Sequence, residues 1–184
     1  MERPPPDEQL LAASGQDPQQ FAPLFDRHAP DIHRYLSRRV DSVADDLLSE
    51  TFLVAFRQRG SYREAGAGVR AWLFGIATNL VRQHVRAEIR RYRALARLPA
   101  PGPIEHDLTE RLDAYQLRAR IAAALAELNP ADRDALLLLA WADLSYLEIA
   151  AVQNVPVGTV RSRINRARRL TSAALAIDFA EETT

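Results

Sequence analysis

The chain has 184 residues, enough for one ordinary domain or two small ones, and its 24 acidic residues balance 24 basic ones. Every basic residue is arginine, and the absence of cysteine excludes disulfides, thiolate metal ligands and cysteine nucleophiles. The longest apolar run, Ala135–Ala142, has eight residues, far below the roughly 20 that span a bilayer. These features favour a cytoplasmic protein without membrane insertion.

Helical periodicity extends over nearly the whole chain, so we predict an all-α protein. Residues 1–17 are rich in Pro and Gln and are predicted to be disordered. His28 and His33 lie five residues apart on one predicted helix and are expected at its surface. The next helix, capped by Asp41 or Ser42, should run to Gln58. One face of that helix holds Ala44, Leu48, Thr51, Phe52 and Ala55, and the other holds Asp46, Ser49, Glu50, Leu53 and Arg57.

A glycine-containing loop at 59–69 precedes a long basic helix, predicted over Val69–Arg93. Its inward positions should be Leu73, Ile76, Ala77, Leu80 and Val81, and its outer positions Thr78, Asn79, Arg82, Gln83, Arg86 and Arg90. Residues 82–97 contain six arginines and one acid. A phosphate backbone would relieve the repulsion among these charges, although a solvated helix face beside acidic neighbours is the alternative.

Three prolines at 99, 101 and 103 predict a linker over residues 96–113. It would join a small domain at 18–95 to a second one at 114–177, which is followed by a frayed tail at 178–184. The second domain should contain helices at Tyr115–Leu128 and Ala131–Ala142, separated by Asn129-Pro130.

Residues 145–169 predict a helix-turn-helix. Ser145 and Glu148 form a capping box, Asn154 suits the left-handed turn, and Pro156 suits the first turn of the second helix. On that helix Val160, Ile164 and Ala167 form the predicted buried stripe. The outer face offers side chains suited to base edges, namely Gly158, Ser162, Asn165 and Arg169 with Arg161 and Arg166 at its edges. Arg163 and Arg168 flank the core side and are better suited to phosphates. An ordinary basic surface helix is the alternative.

Three segments together resemble the extracytoplasmic-function (ECF) group of RNA polymerase sigma factors, over residues 18–172. Residues 45–52 (DDLLSETF) resemble the core-binding helix of that family, and residues 70–79 (RAWLFGIATN) its promoter-melting helix. Residues 144–150 and 156–163 resemble its C-terminal helix-turn-helix.

The resemblance implies a role for each segment, in the order of the chain. Core polymerase would bind Asp46, Ser49, Glu50 and Leu53, although Ser49 stands where the family commonly has Gln. The −10 element would be melted and bound by Trp72, Thr78, Asn79, Arg82, Gln83 and Arg86, with an unstacked base in the loop at 59–69. The −35 duplex would be read by the helix-turn-helix. For Trp72, a place in the core is the competing interpretation.

The resemblance also implies partners: core RNA polymerase, promoter DNA and, in many family members, an anti-sigma protein. The acidic linker would either mimic RNA in a polymerase channel or simply be disordered. No cofactor motif or metal-ligand spacing occurs, so we expect no cofactor, no metal and no enzyme activity. Two other classes stay open at this point: a helix-turn-helix regulator without polymerase, which leaves residues 42–93 unexplained, and a sigma-like regulator that has lost promoter melting.

Overall fold

The computed structural model describes residues 4–63, 66–95, 121 and 123–181, and within those ranges it contains helices and no strand. The predicted all-α class is confirmed. In chain order the α-helices are α1 (Asp7–Ala13), α2 (Ala22–Val40), α3 (Ala44–Gln58), α4 (Gly68–Leu95), α5 (Pro130–Ala142), α6 (Tyr146–Gln153) and α7 (Val157–Glu181). Short 3₁₀ helices lie at Pro18–Phe21, Asp41–Val43 and Arg59–Ser61. The predicted linker at 96–113 and half of the predicted helix at 115–128 lie outside the described residues, and residues 123–126 of that helix are helical.

Helices α1 to α4 pack together as an N-terminal unit. The predicted inner face of α3 is correct, since Ala44, Thr51, Phe52 and Ala55 are buried. Aromatic rings join the helices: Phe21 packs edge-on against Phe56 at 5.3 Å, and Tyr35 against Phe74 at 5.6 Å between ring centroids. The second contact joins α2 to α4 and so helps to set the orientation of the outer face of α4.

The prediction of disorder for residues 1–17 is wrong for residues 4–17, because α1 is docked on α2 and α4; residues 1–3 lie outside the described residues. Leu10 and Leu11 are each only 3% exposed. The Asp7 carboxylate contacts Arg27 at 2.7 Å and His28 at 2.6 Å, so His28 is buried rather than at the surface. Two apolar side chains and one anchored carboxylate therefore hold a helix that is too short to be stable alone.

Helices α5 to α7 form a C-terminal unit. Asn129 caps α5, because its side chain accepts a hydrogen bond from the Ala131 amide at 3.0 Å. The predicted capping box is present: Ser145 Oγ accepts from the Glu148 amide, and the Ser145 amide donates to Glu148 Oε2 at 2.8 Å. Asn154 ends α6 in the left-handed conformation, as predicted, with φ of 50°. Pro156 lies one residue before α7 rather than inside its first turn.

The two units share one continuous buried core. Helix α4 packs against α6, and α2 packs against α5. At Gly75 of α4, an added Cβ would lie 4.0 Å from the Val152 Cα of α6, so the helices come close together there. The first helix of the helix-turn-helix therefore rests on the helix that resembles the promoter-melting element, an arrangement that local sequence patterns do not predict.

Candidate nucleic-acid and polymerase interfaces

The predicted outer face of α4 is only partly solvent-facing. Asn79, Gln83 and Arg86 are exposed, and they recur at the spacing of one helical stripe. Trp72 is half-buried, and Arg82 is half-buried by the C-terminal unit. The polar stripe of exposed side chains is the part of α4 that is open to a ligand.

Thr78 does not belong to this stripe, and its predicted outer position is wrong. It is 1% exposed, and its hydroxyl is 3.1 Å from the Tyr35 hydroxyl inside the core. Buried positions occupy more than half of the circumference of α4 between 69 and 81, because α1, α2, α3 and α6 all pack against it. Burial raises the pKa of Tyr35, and the nearby Arg39 guanidinium opposes this shift.

A cavity of about 340 Å³ lies beside the exposed stripe, between the loop that precedes α4 and the start of α4. Its wall includes Tyr62 and Trp72, whose ring centroids are 5.2 Å apart, and Asn79. Ala151 and Val152 of α6 close one side. Aromatic rings next to an amide suit a flat, polar group such as a nucleobase.

Two arginines of the N-terminal unit converge on one carboxylate of the C-terminal unit. Asp134, which is 2% exposed, is 2.8 Å from Arg39 Nη1 and 2.5 Å from Arg82 Nε. Arg39 also donates to the Tyr35 hydroxyl at 3.1 Å, which connects the pair to the buried hydroxyls. Arg39 was not predicted as a site residue, because a charge pair between distant segments leaves no local sequence pattern.

Arg70 at the start of α4 makes a second contact between the units. It donates to Glu148 Oε1 at 3.1 Å and to the Ala142 carbonyl at 2.6 Å. Burial alone would raise the pKa of Glu148, but hydrogen bonds from Ser145 and the Arg70 guanidinium outweigh it, so the pKa is lowered. Glu148 thus stabilises the helix-turn-helix and holds the two units together with the same carboxylate.

The second helix of the helix-turn-helix, α7, buries the predicted stripe completely: Val160, Ile164 and Ala167 are each 0% exposed. The opposite face carries exposed polar and basic side chains, namely Gly158, Arg161, Ser162, Asn165 and Arg169. Together they offer hydrogen-bond donors and acceptors of the kind that read base edges in a major groove.

The other two predicted side chains of α7 are held by their own unit. Arg166 makes a bidentate contact with the buried Asp132, both distances being 2.6 Å, and this hydrogen bonding raises the pKa of Arg166. Arg163 donates to Gln153 Oε1 at 2.6 Å and lies half-buried. Arg166 still has an exposed side chain, so it lies at the edge of the face rather than at its centre.

The outer face of α3 brings the predicted polymerase-contacting residues together. Asp46 and Ser49 are exposed, Glu50 is half-buried, and Leu53 is 42% exposed. Phe25 of α2 is equally exposed, and it packs against Phe52 at 4.7 Å between ring centroids. Sequence patterns missed Phe25, although a Phe in an otherwise charged stretch of α2 was the available signal.

Two further features concern the described residues alone. No helix among them is long and apolar enough to cross a membrane. No three His, Asp or Glu side chains among them gather as a metal ion would require.

Comparisons with known proteins match both units. The profile of Sigma-70 region 2 matches residues 24–91, and that of Sigma-70 region 4 matches residues 118–170. The chain is 33% identical over 150 residues to RNA polymerase sigma factor CarQ of Myxococcus xanthus, covering 79% of this chain and 83% of CarQ. It is 35% identical over 139 residues to ECF RNA polymerase sigma factor SigC of Mycobacterium tuberculosis, covering 75% and 74%.

A solved structure agrees with these matches. The structure of CnrH in complex with the cytosolic domain of CnrY superposes with a TM-score of 0.65 at 27% identity, covering 94% of this chain and 98% of that one. Fold and sequence therefore define a protein of the sigma-70 family. Within that family the chain belongs to the ECF group, the RNA polymerase sigma factors that direct promoter-specific transcription with core polymerase and promoter DNA as partners.

Proposed function

We propose that the N-terminal unit melts the −10 element and captures its non-template strand with the exposed stripe of α4. The observation that carries this proposal is the cavity beside Trp72, Tyr62 and Asn79. One unstacked base would bind against the part of the cavity wall formed by the loop and α4, which stays with the N-terminal unit when α6 moves away. Gln83, Arg86 and Arg82 would follow the strand along α4. Stacking on an aromatic ring contributes about 1–3 kcal/mol per base, enough to offset part of the melting cost. Thr78 takes no direct part, because it is buried.

The C-terminal unit reads the −35 element as duplex in this proposal. Arg161, Ser162 and Asn165 enter the major groove, and Gly158 allows close approach at the start of α7. Arg169, with Arg163 and Arg166 at the edge of the face, contacts phosphates. The exposure of the central side chains supports this assignment.

The remaining assignments concern partners and location. Core polymerase binds the face of α3 with Asp46, Ser49, Glu50 and Leu53, where a half-exposed Leu among acids suits an interface anchor. The two functional domains span residues 18–95 and 114–177, and α1 packs against the first and belongs to it. The protein works in the cytoplasm and leaves the chemistry of transcription to the polymerase. An anti-sigma protein is a candidate regulator, since CnrH is held by the cytosolic domain of CnrY.

Binding both elements at once requires the two units to separate. The −10 and −35 elements lie 25 base pairs apart by their names, which is about 85 Å of B-DNA at 3.4 Å per base pair. A compact chain of this length has a radius of gyration of only about 16 Å. The closed arrangement, with Asp134 against Arg39 and Arg82, is therefore a state of the protein away from the promoter.

The test is transcription with purified core polymerase on a pool of random promoter DNA. Transcripts that appear only when the protein is added are expected, and their upstream sequences would reveal both elements. Asn79→Ala and Trp72→Ala should reduce strand opening, measured by permanganate reactivity of unpaired thymines, while duplex binding persists. Gln9→Ala, which removes an exposed amide from α1 away from the stripe, is the matched control.

Changes in α7 should act on the upstream element instead. Arg161→Ala and Asn165→Ala should each cost about 1–3 kcal/mol of discrimination there and leave core binding intact. Ser172→Ala, an exposed change on the same helix, should leave selectivity unaltered. Core binding with no specific transcript from any promoter would overturn the proposal and indicate a purely regulatory sigma-like protein.

A further inference from the structure

The carboxylate of Asp134 fills a site on the N-terminal unit that is built for an anion. Arg39 and Arg82 approach it at 2.8 and 2.5 Å, from α2 and α4 respectively. Two guanidinium groups face one carboxylate, so the site keeps a net positive charge even when it is filled. The forked donors of arginine bind phosphate oxygens in the same manner as carboxylate oxygens.

This anion leaves the site when the units separate, because it belongs to the C-terminal unit. The Arg39 side chain is only 9% exposed in the closed arrangement, and Asp134 covers it. Separation on promoter DNA therefore uncovers two adjacent arginines on the unit that faces the −10 element. The same logic applies to Arg70, whose partner Glu148 also comes from the C-terminal unit.

We infer that Arg39 and Arg82 form a phosphate site for the backbone of the non-template single strand, and that Asp134 is its competitor within the chain. This inference rests on the proposed function, since it requires the strand to run along α4. Arg39 lies on α2, so the site carries the strand from α4 across to α2. The closed arrangement and strand binding exclude each other, because both use the same two guanidinium groups.

The experiment measures binding of the full-length protein to a fluorescein-labelled single-stranded 20-mer of random sequence, by anisotropy at several salt concentrations. Asp134→Asn removes the competing charge at nearly constant shape. It should strengthen binding on the order of fivefold or more, which is the low end of typical coupling between exclusive states. An unchanged affinity would show that Asp134 does not compete with the strand.

Arg39 is tested in the Asp134→Asn background, where the competing carboxylate charge is absent. Arg39→Ala should weaken binding about tenfold and reduce the slope of log affinity against log salt by about 0.7. Arg38→Ala removes the same charge from an exposed neighbour on α2 and is the matched control. Arg39→Gln keeps a hydrogen-bond donor for the Tyr35 hydroxyl but removes the charge. Weaker binding in this variant at an unchanged unfolding temperature would show that the loss comes from the phosphate contact and not from unfolding.

The decisive comparison is between the two neighbouring arginines. Equal effects of Arg39→Ala and Arg38→Ala, with thermal unfolding unchanged, would overturn the phosphate site. The random probe keeps this result separate from the proposed function. If transcription is promoter-specific but Arg39→Ala and Arg38→Ala weaken binding equally, only the phosphate site is rejected. If Arg39→Ala alone weakens binding but transcription is not promoter-specific, only the proposed promoter role is rejected.

Discussion

Substitution of Leu11 by alanine tests whether α1 is docked as the structure describes. Leu11 is 3% exposed, so the change removes apolar contact from a nearly closed site. Burial of a leucine contributes about 1.5–3 kcal/mol, and Leu→Ala in a core costs about 2–5 kcal/mol because of the cavity that remains. Because α1 is only seven residues long, it can detach without unfolding the rest of the N-terminal unit, and the loss cannot exceed the free energy that docks it. We therefore expect about 2–3 kcal/mol, near the lower end of the range.

Urea unfolding followed by tryptophan fluorescence measures this loss. The chain has two tryptophans, and a Trp141→Phe background leaves Trp72 as a reporter in the N-terminal unit. Leu11→Ala should lower the midpoint at an unchanged slope, the signature of altered stability rather than altered compactness. Gln9→Ala changes an exposed position of the same helix and should stay within about 0.5 kcal/mol of the parent. Equal urea midpoints for Leu11→Ala and Gln9→Ala would mean that α1 is not docked and that the disorder predicted from its composition was correct.

Three further predictions concern the helix-turn-helix and the polymerase face. Ser145→Ala removes the side-chain cap of α6 and should cost about 1 kcal/mol in thermal unfolding, whereas Ser145→Asp should restore most of it. The pKa of Glu148 is lowered on folding, so its stabilisation is present above the ordinary value of 4.5 and is lost as pH falls through the lowered value. Glu148→Gln should therefore flatten the acid limb of stability against pH, and an unaltered limb would contradict this. Leu53→Arg should weaken core-polymerase binding by tenfold or more without lowering the melting temperature, because the side chain is 42% exposed. Gln9→Arg adds the same charge at an exposed position of α1, away from that face, and is the control.

Features that depend on neighbours in the chain were predictable from the sequence. The capping box needs only Ser145 and Glu148 at their spacing, and the αL turn needs only a residue such as Asn154. The buried stripe of α7 follows from the helical period, as its complete burial confirms. Each of these signals acts over one or two helical turns, so no knowledge of tertiary packing was required.

Features that depend on tertiary packing were not predictable in this way. The polar side chain of Thr78 predicts a position on the outer face of α4. It is buried instead, because the Tyr35 hydroxyl, 43 positions earlier, is its hydrogen-bond partner in the core. Helix α1 has no side-chain cap bond, and prolines flank it, so its composition favours disorder. It is ordered because Leu11 is buried against the neighbouring helices, a contact that its own sequence does not reveal. The ion pairs of Asp134 with Arg39 and Arg82 could not be predicted, because opposite charges far apart in the sequence form no periodic pattern.

Several arginines are neutralised by specific carboxylates in the closed arrangement. Arg39, Arg70 and Arg82 of the N-terminal unit are all held by acids of the C-terminal unit, and Arg166 is held by Asp132 within its own unit. Cations paired in this way contribute little to non-specific attraction for DNA, which depends on arginines free to replace counterions. Moving a closed-to-open ratio from 99:1 to 1:99 takes about 5.5 kcal/mol of differential binding, so only a partner that binds the open arrangement about 10⁴-fold more tightly than the closed one can open the protein. We expect promoter DNA bound at both elements to be such a partner, because the closed arrangement cannot reach both, and the proposed phosphate site at Arg39 and Arg82 would then be uncovered only at a promoter.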